Sequence, residues 1–374
     1  MSFEQSGIPR EHFASPIAGR YALLDRLGVG GQGTVFEAID QKVKPAPNQG
    51  QPHVAVKVYE PPTDKETADR IGREASMHFL LGQHPNIVTP LDYGVEPVRV
   101  AGLYGRGKRI MDYPYLVSEL ANGPSLHQRM HAGPLAISAI RRMVTEIGNA
   151  VHFAHREGVI LRDLKPSNIL GMIEGDDICN LLADFGIAKP LPSGLTGTGV
   201  HTRIGTLRYV SPEQARGEKL DPSSDIYSFG IMLQELLAGV APFSLGAKDH
   251  RLPEGSAHLT MPLLEEVSAF SARSETERRV ALALQPLALQ AISEHPMDRP
   301  QTMKHFAWLF DQRYREAIEE PRASVHDLKA ARRMPQSVAG RTEPEEVSLL
   351  PNQQLPRTLA AVSFMPAKVR PATL

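Results

Sequence analysis

This chain has little cysteine, almost no net charge and no long hydrophobic run. A single cysteine, Cys179, among 374 residues cannot form an internal disulfide, which is typical of proteins in a reducing compartment. The net charge of −1 gives no indication that the protein binds nucleic acid or a charged membrane surface. No apolar run is long enough to cross a bilayer, and the N-terminus lacks the apolar core of a signal peptide. These absences predict a cytoplasmic protein with no membrane span and no nucleic-acid partner.

The residues that are present fall into zones of different periodicity. Residues 1–20 show little pattern and predict a flexible arm. Short strand patterns with one helix pattern dominate about residues 21–121, and helical spacing dominates about residues 122–313. Prolines interrupt every potential element in residues 314–374, which predicts a disordered tail. The fold class expected is α+β, with a small, mostly β lobe that contains one helix and a larger, mostly α lobe.

A glycine-rich turn, Gly28-x-Gly30-x-x-Gly33, follows the first strand pattern. Glycines allow backbone N–H groups to approach phosphates because no Cβ stands in the way. In dinucleotide-binding folds such a turn opens a helix, whereas residues 34–38 here read as a second strand. The position favours a loop that folds over a nucleotide.

Two carboxylates, one amide and one lysine stand at a spacing suited to phosphoryl transfer. Asp163 is able to accept the proton of an attacking hydroxyl, and Lys165 to stabilise charge on the transferred group. Asn168 and, sixteen residues later, Asp184 offer the hard oxygen ligands that Mg²⁺ prefers. A lone Asp or Asn in a loop is usually a turn former, but residues 161–168 in register with Asp184-Phe185-Gly186 are hard to obtain by chance.

A lysine and a glutamate complete the candidate site. Alternation along residues 54–58 places Ala55 and Lys57 on one face of a strand. Glu74 borders the inner stripe of the following helix, so it could reach back to Lys57. Taken singly, a strand lysine or a helix glutamate is commonly an exposed charged residue, but the two together favour an ion pair.

These motifs resemble those of the protein kinase family, and the resemblance covers about residues 21–313. Residues 211–217 are similar to the bacterial-type serine/threonine protein kinases. The resemblance implies a two-lobed kinase fold that uses ATP with Mg²⁺, or Mn²⁺ in its place, to phosphorylate Ser or Thr of protein substrates. It implies catalytic roles for Asp163 and Lys165, metal binding by Asn168 and Asp184, and nucleotide contacts from Gly28, Gly30, Gly33, Val35, Ala55, Lys57, Glu74 and the backbones of Glu119 and Ala121.

The same resemblance implies supporting residues in the larger lobe. Thr206 would pack beside Asp163, and Glu213 would pair with Arg299. Asp225 would anchor the loop that carries the catalytic residues. Glu213, Arg299 and Asp225 are expected to support the site without contacting the substrate, whereas Thr206 fits a short Ser or Thr hydroxyl as the nucleophile.

Regulation by phosphorylation is a further implication. Arg162 precedes the catalytic Asp, as in kinases that are activated by phosphorylation of the loop after Asp184. Thr202 matches the usual primary site and Thr198 is the second candidate, and autophosphorylation there is expected. The alternative is that both are ordinary loop threonines. The active form would be a monomer or an activating homodimer.

One residue departs from the family pattern, because Leu161 stands where kinases normally have histidine. Leucine keeps the apolar packing but loses a hydrogen bond of about 0.5–1.5 kcal/mol. A pseudokinase, an ATP-binding scaffold with weak or no turnover, is therefore the alternative to an active kinase. A small-molecule phosphotransferase of related fold is disfavoured, because such enzymes usually lack the docking segment at residues 205–213.

Overall fold

The computed structural model describes residues 7–30, 33–45, 50–101, 108–184, 206–240 and 262–319. Strands dominate the first part of these residues and helices the second, which confirms the predicted α+β class with a small β lobe and a larger helical lobe. Thr198, Thr202 and residues 320–374 of the predicted tail lie outside the described residues.

The small lobe contains an antiparallel sheet with the strand order β1-β2-β3-β5-β4. Alternation in β3 buries Val54, Val56 and Val58 on one face and leaves Lys57 on the other. The strands are β1 (Tyr21–Gly30), β2 (Gly33–Asp40), β3 (His53–Tyr59), β4 (Pro90–Ala101) and β5 (Lys108–Glu119).

The helix of the small lobe, α1 (Lys65–Leu81), packs on the face of the sheet that carries Lys57. Asp64 caps it, because its side chain accepts a hydrogen bond from the N–H of Thr67. Ile71 and Ala75 are buried in one cluster with Tyr59 of β3. This packing turns Glu74, on the same side of α1, towards β3.

Residues 7–20 belong to the predicted flexible arm, but they pack against the sheet. Ile8 and Ile17 are 3% and 0% exposed. The N–H of Ile8 donates to Oγ1 of Thr34 in β2 at 2.9 Å, and the ring of Phe13 lies edge-on to Tyr113 of β5. Scattered apolar residues show no periodicity, so the sequence carried no signal for this contact.

The large lobe is built around a buried helix, α5 (Ser223–Ala238), all of whose residues are buried. A hairpin of β6 (Ile169–Glu174) and β7 (Asp177–Leu182) pairs Ile169 with Leu182. Helix α7 extends to Glu319, so residues 314–319, assigned to the tail by sequence, are helical. None of the described helices is long and apolar enough to span a membrane. The other helices are α2 (Leu126–Ala132), α3 (Ile137–Arg156), α4 (Pro212–Ala215), α6 (Glu275–Ala291) and α7 (Met303–Glu319).

Candidate active site

The β6–β7 hairpin brings Asn168 and Asp184 together, since one residue precedes the hairpin and the other follows it. The N–H of Ala183 donates to the carbonyl of Asn168 at 2.8 Å. The side-chain amide of Asn168 donates to the backbone carbonyl and Oδ2 of Asp163 at 2.9 and 3.1 Å, and to the carbonyl of Asp184 at 3.4 Å. Lys165 Nζ lies 2.8 Å from Asp163 Oδ2. Four residues singled out by sequence thus converge.

Buried Asp225 of α5 fixes the backbone of the loop that carries Asp163. Its carboxylate accepts the N–H of Leu161 at 2.8 Å and the N–H of Arg162 at 2.9 Å. His155, at the end of α3, adds a third contact through Nε2 at 2.8 Å. These bonds hold Arg162 at a φ of 63°, a left-handed conformation that few non-glycine residues adopt.

Lys57 contacts one carboxylate of its own lobe, Glu74, and one of the large lobe, Asp184. Its Nζ lies 3.0 Å from Glu74 Oε1 and 2.7 Å from Asp184 Oδ1. Burial alone would lower the pKa of Lys57, but the negative charges of Asp184 and Glu74 raise it well above its ordinary value. The surrounding protein disfavours the charged form of Asp184, yet Lys57 holds the pKa of Asp184 below its ordinary value. The lysine therefore stays cationic and Asp184 anionic at neutral pH.

The glycines of the β1–β2 turn differ in what surrounds them. Among the described residues, a Cβ on Gly28 would meet nothing within 4 Å, and one on Gly30 would meet only the Gly33 carbonyl at 3.8 Å. A Cβ on Gly33 would collide with the carbonyl oxygen of Val58, so the β2–β3 pairing itself requires that glycine. Val35 lies opposite Lys57 in the same pairing. The described residues therefore leave space beside Gly28 and Gly30.

The segment expected to bind adenine lies at the end of β5. Ala55 pairs with Ser118 across β3 and β5. The N–H of Glu119 donates to the carbonyl of Thr89 at 2.9 Å, and the Glu119 carboxylate accepts the N–H of Thr89 at 2.7 Å. This exchange fixes the strand end just before Ala121. The adenine contacts themselves stay a prediction.

Glu213 and Arg299 form a bidentate pair with distances of 2.8 and 2.9 Å. Ser224 donates a further hydrogen bond of 2.6 Å to Glu213. Burial alone would raise the pKa of Glu213, but Arg299 and Ser224 lower it to about 2. The side chain of Thr206, expected beside Asp163, lies outside the described residues.

Three residues of this region were not predicted from the sequence. His155 binds Asp225, and Gln214 donates from Nε2 to the backbone carbonyl of Arg162 at 2.9 Å. Tyr59 donates to Glu74 at 3.0 Å. Only Tyr59 carried a usable signal, because a residue two positions after Lys57 lies on the same face of a strand.

The donor set suits magnesium with a nucleotide. No group of three or more His, Cys, Asp or Glu side chains able to hold a metal occurs in the part of the chain that the structure describes. Mg²⁺ commonly takes only one or two protein ligands and completes its shell with waters and substrate phosphates. The Asn168 amide and the Asp184 carboxylate, which is 49% exposed, fit that pattern.

Known proteins place the chain in a family. Residues 21–309 match the family described as the protein kinase domain. Serine/threonine-protein kinase pkn3 of Myxococcus xanthus is 32% identical over 343 residues, which cover 88% of this chain and 57% of pkn3. Serine/threonine-protein kinase PkaA of Streptomyces coelicolor is 37% identical over 240 residues, which cover 62% of this chain and 41% of PkaA.

The fold has a solved counterpart as well. The kinase domain of Mycobacterium tuberculosis PknI superposes with a TM-score of 0.53 at 23% identity, over 79% of this chain and 97% of that domain. At this identity the likeness concerns the fold alone. The chain spans about half the length of the curated relatives it matches. The chain belongs to the protein kinase family, and the relatives reported above are bacterial proteins named as serine/threonine-protein kinases.

Proposed function

We propose that this chain transfers the γ-phosphoryl group of MgATP to serine or threonine hydroxyls of proteins. The observation that carries the proposal is the convergence of Lys57, Asp163, Asn168 and Asp184 through contacts of 2.7 to 3.4 Å. These residues come from a strand of one lobe and a loop and hairpin of the other. Relatives that are named serine/threonine-protein kinases support the same reaction.

Lys57 and the glycine turn are the groups proposed to bind the phosphates of the nucleotide. Lys57, kept charged by its two carboxylate partners, is suited to bind the α- and β-phosphates. Gly28 and Gly30 leave room for phosphates beneath the β1–β2 turn. Glu119 and Ala121 are the proposed adenine contacts. Mg²⁺ held by Asn168 and Asp184 would neutralise phosphate charge.

The acceptor side belongs to Asp163. The substrate hydroxyl would donate its proton towards the Asp163 carboxylate and attack the γ-phosphorus, and the bond to the β–γ bridging oxygen would break. Lys165, 2.8 Å from Asp163, is placed to stabilise charge on the group in transit. Autophosphorylation of Thr202, or of Thr198, is part of the proposal. The cytoplasmic location and the monomeric or homodimeric state stay predictions.

The test is phosphate transfer to a general basic acceptor protein with MgATP. We expect Asp163→Asn to lower turnover by about 10²- to 10⁴-fold while ATP binding persists, because the base is lost and the nucleotide contacts remain. Asp176→Asn is the matched control, since Asp176 lies exposed in the turn of the nearby β6–β7 hairpin. Wild-type protein that binds MgATP but transfers no phosphate would instead establish the pseudokinase alternative.

A further inference from the structure

A buried tyrosine at the end of β3 contacts both members of the lysine–glutamate pair. Tyr59 is 0% exposed and stands two residues after Lys57, so both side chains lie on the same face of the strand. Its hydroxyl donates to Glu74 Oε1 at 3.0 Å, the same oxygen that Lys57 Nζ approaches at 3.0 Å. Lys57 Nζ also lies 4.9 Å from the centroid of the Tyr59 ring.

The carboxylate of Glu74 depends on few donors. Oε2 of Glu74 is buried and accepts no hydrogen bond from any described residue. Within the described structure, its hydrogen bonds therefore run through Oε1, to Lys57 and Tyr59. One of these donors is shared, because Lys57 also contacts Asp184 at 2.7 Å.

We propose that Tyr59 is a positioning residue for the nucleotide site: its hydroxyl holds Glu74 in place, so that Glu74 continues to orient Lys57 while Lys57 binds phosphates. The inference rests on the proposed function. A nucleotide that binds the ammonium of Lys57 draws this donor away from Glu74, whereas the hydrogen bond from Tyr59 to Glu74 is kept. Hydrogen bonds to a charged acceptor are stronger than neutral ones, which suits this role.

The surroundings of Tyr59 keep the donor in position. Its ring is buried in one cluster with Ile71 and Ala75 of α1 and Leu116 of β5, so it links the helix to the sheet. Burial raises the pKa of Tyr59 well above its ordinary value. The hydroxyl therefore remains protonated, and able to donate, over the whole working pH range.

Two substitutions separate the hydroxyl from the ring. We expect Tyr59→Phe, which keeps the packing and the ring beneath Lys57, to lower kcat/KM for ATP by about 5- to 20-fold, the size of one lost charge-assisted hydrogen bond. KM for the acceptor protein should change by less than about 2-fold, because the acceptor does not contact this pair. Tyr59→Leu removes the ring as well and should cost more.

Tyr21→Phe is the matched control. Tyr21 is 1% exposed in the same sheet, and its hydroxyl donates to Asp92 Oδ2 at 2.7 Å, away from Lys57. It should lose comparable stability yet keep kcat/KM for ATP within about 2-fold. In a Glu74→Gln background, Tyr59→Phe should add less than about 2-fold, because the two side chains act as one unit.

Equilibrium binding of MgATP is measured on the same variants. Weaker MgATP binding by Tyr59→Phe than by Tyr21→Phe supports the proposal. This holds even if the wild-type protein shows no turnover, because absent turnover would contradict only the proposed function. Equal ATP affinity and equal kcat/KM in Tyr59→Phe and wild type would overturn it. Equal losses in Tyr59→Phe and Tyr21→Phe would also overturn it, because they would indicate general weakening of the sheet.

Discussion

The two lobes each contain a pairing of carboxylate and cation, and the pairings differ in how completely they are satisfied. In the large lobe Arg299 donates to both oxygens of Glu213 and to three backbone carbonyls, those of Ser223, Ser293 and Glu294. In the small lobe Lys57 divides its charge between Glu74 and the half-exposed Asp184. A saturated pair holds the fold, whereas an unsaturated pair retains capacity for a ligand. The variants below test that contrast.

The largest effect is expected from breaking the saturated pair. Glu213→Ala leaves Arg299 buried without its counter-charge, and we expect a loss of about 3–5 kcal/mol in the free energy of unfolding. Glu218→Ala is the control, because Glu218 pairs with Arg216 at 2.6 Å with both side chains about half exposed, 51% and 47%. Its loss should stay below about 1 kcal/mol in denaturant titration. Similar losses in both variants would remove the distinction between buried and exposed pairs.

The Glu213–Arg299 pair should account for most of the fall in the free energy of unfolding in acid. The pKa of Glu213 falls from 4.5 to about 2 on folding, so the folded state binds fewer protons than the unfolded state between these values. The stabilisation is therefore complete above about pH 4.5 and is lost as the pH falls towards 2, with a total on the order of 3 kcal/mol. Unfolding titrations of wild type and Glu213→Gln at several pH values measure it. The gap in stability between the two proteins should shrink on acidification, and a constant gap would contradict the assignment.

A reciprocal exchange compares the pairs directly. Lys57→Arg keeps the charge, so stability should change by less than about 1 kcal/mol, yet the bulkier guanidinium displaces the phosphate contact and kcat/KM for ATP should fall by about 100-fold. Arg299→Lys cannot serve both oxygens of Glu213 and the backbone carbonyls, so it should lose about 2 kcal/mol in stability. Kinase assays and unfolding curves on both variants check the pattern. Equal sensitivity of activity and stability in the two variants would break the contrast.

Motif spacing, together with the resemblance to protein kinases, predicted most of the residues that the structure brings together. Asn168 and Asp184 could be assigned together because a short hairpin returns the chain to its starting point, a local event that sequence spacing records. The packing of residues 7–20 could not be read in this way, because burial of Ile8 and Ile17 depends on surfaces supplied by strands far along the chain.

The same limit applies to the supporting contacts. The hydrogen bond from His155 to Asp225 joins residues 70 apart and leaves no periodic trace. Strand alternation places Tyr59 on the face of Lys57, but only the packing of α1 brings Glu74 within 3.0 Å of its hydroxyl. Spacing predicts which groups share an element, while packing between elements decides which groups meet.

The smallest effect is expected at the residue that departs from the family pattern. Leu161 is 2% exposed, and its N–H donates to Asp225 at 2.8 Å, a bond that any side chain at this position would leave in place. His155 supplies a second contact to the same oxygen. Leu161→His should therefore change turnover by less than about 3-fold.

His155→Phe is the informative partner of that variant, because it keeps a ring of similar size but removes a donor to a buried carboxylate. We expect it to cost about 1–3 kcal/mol in the free energy of unfolding. Turnover and unfolding measured on both variants decide between two origins of loop rigidity. If Leu161→His raised turnover about 10-fold or more, the leucine itself would be limiting catalysis. The loop would then be held by the side chain at position 161 rather than by the backbone bonds to Asp225.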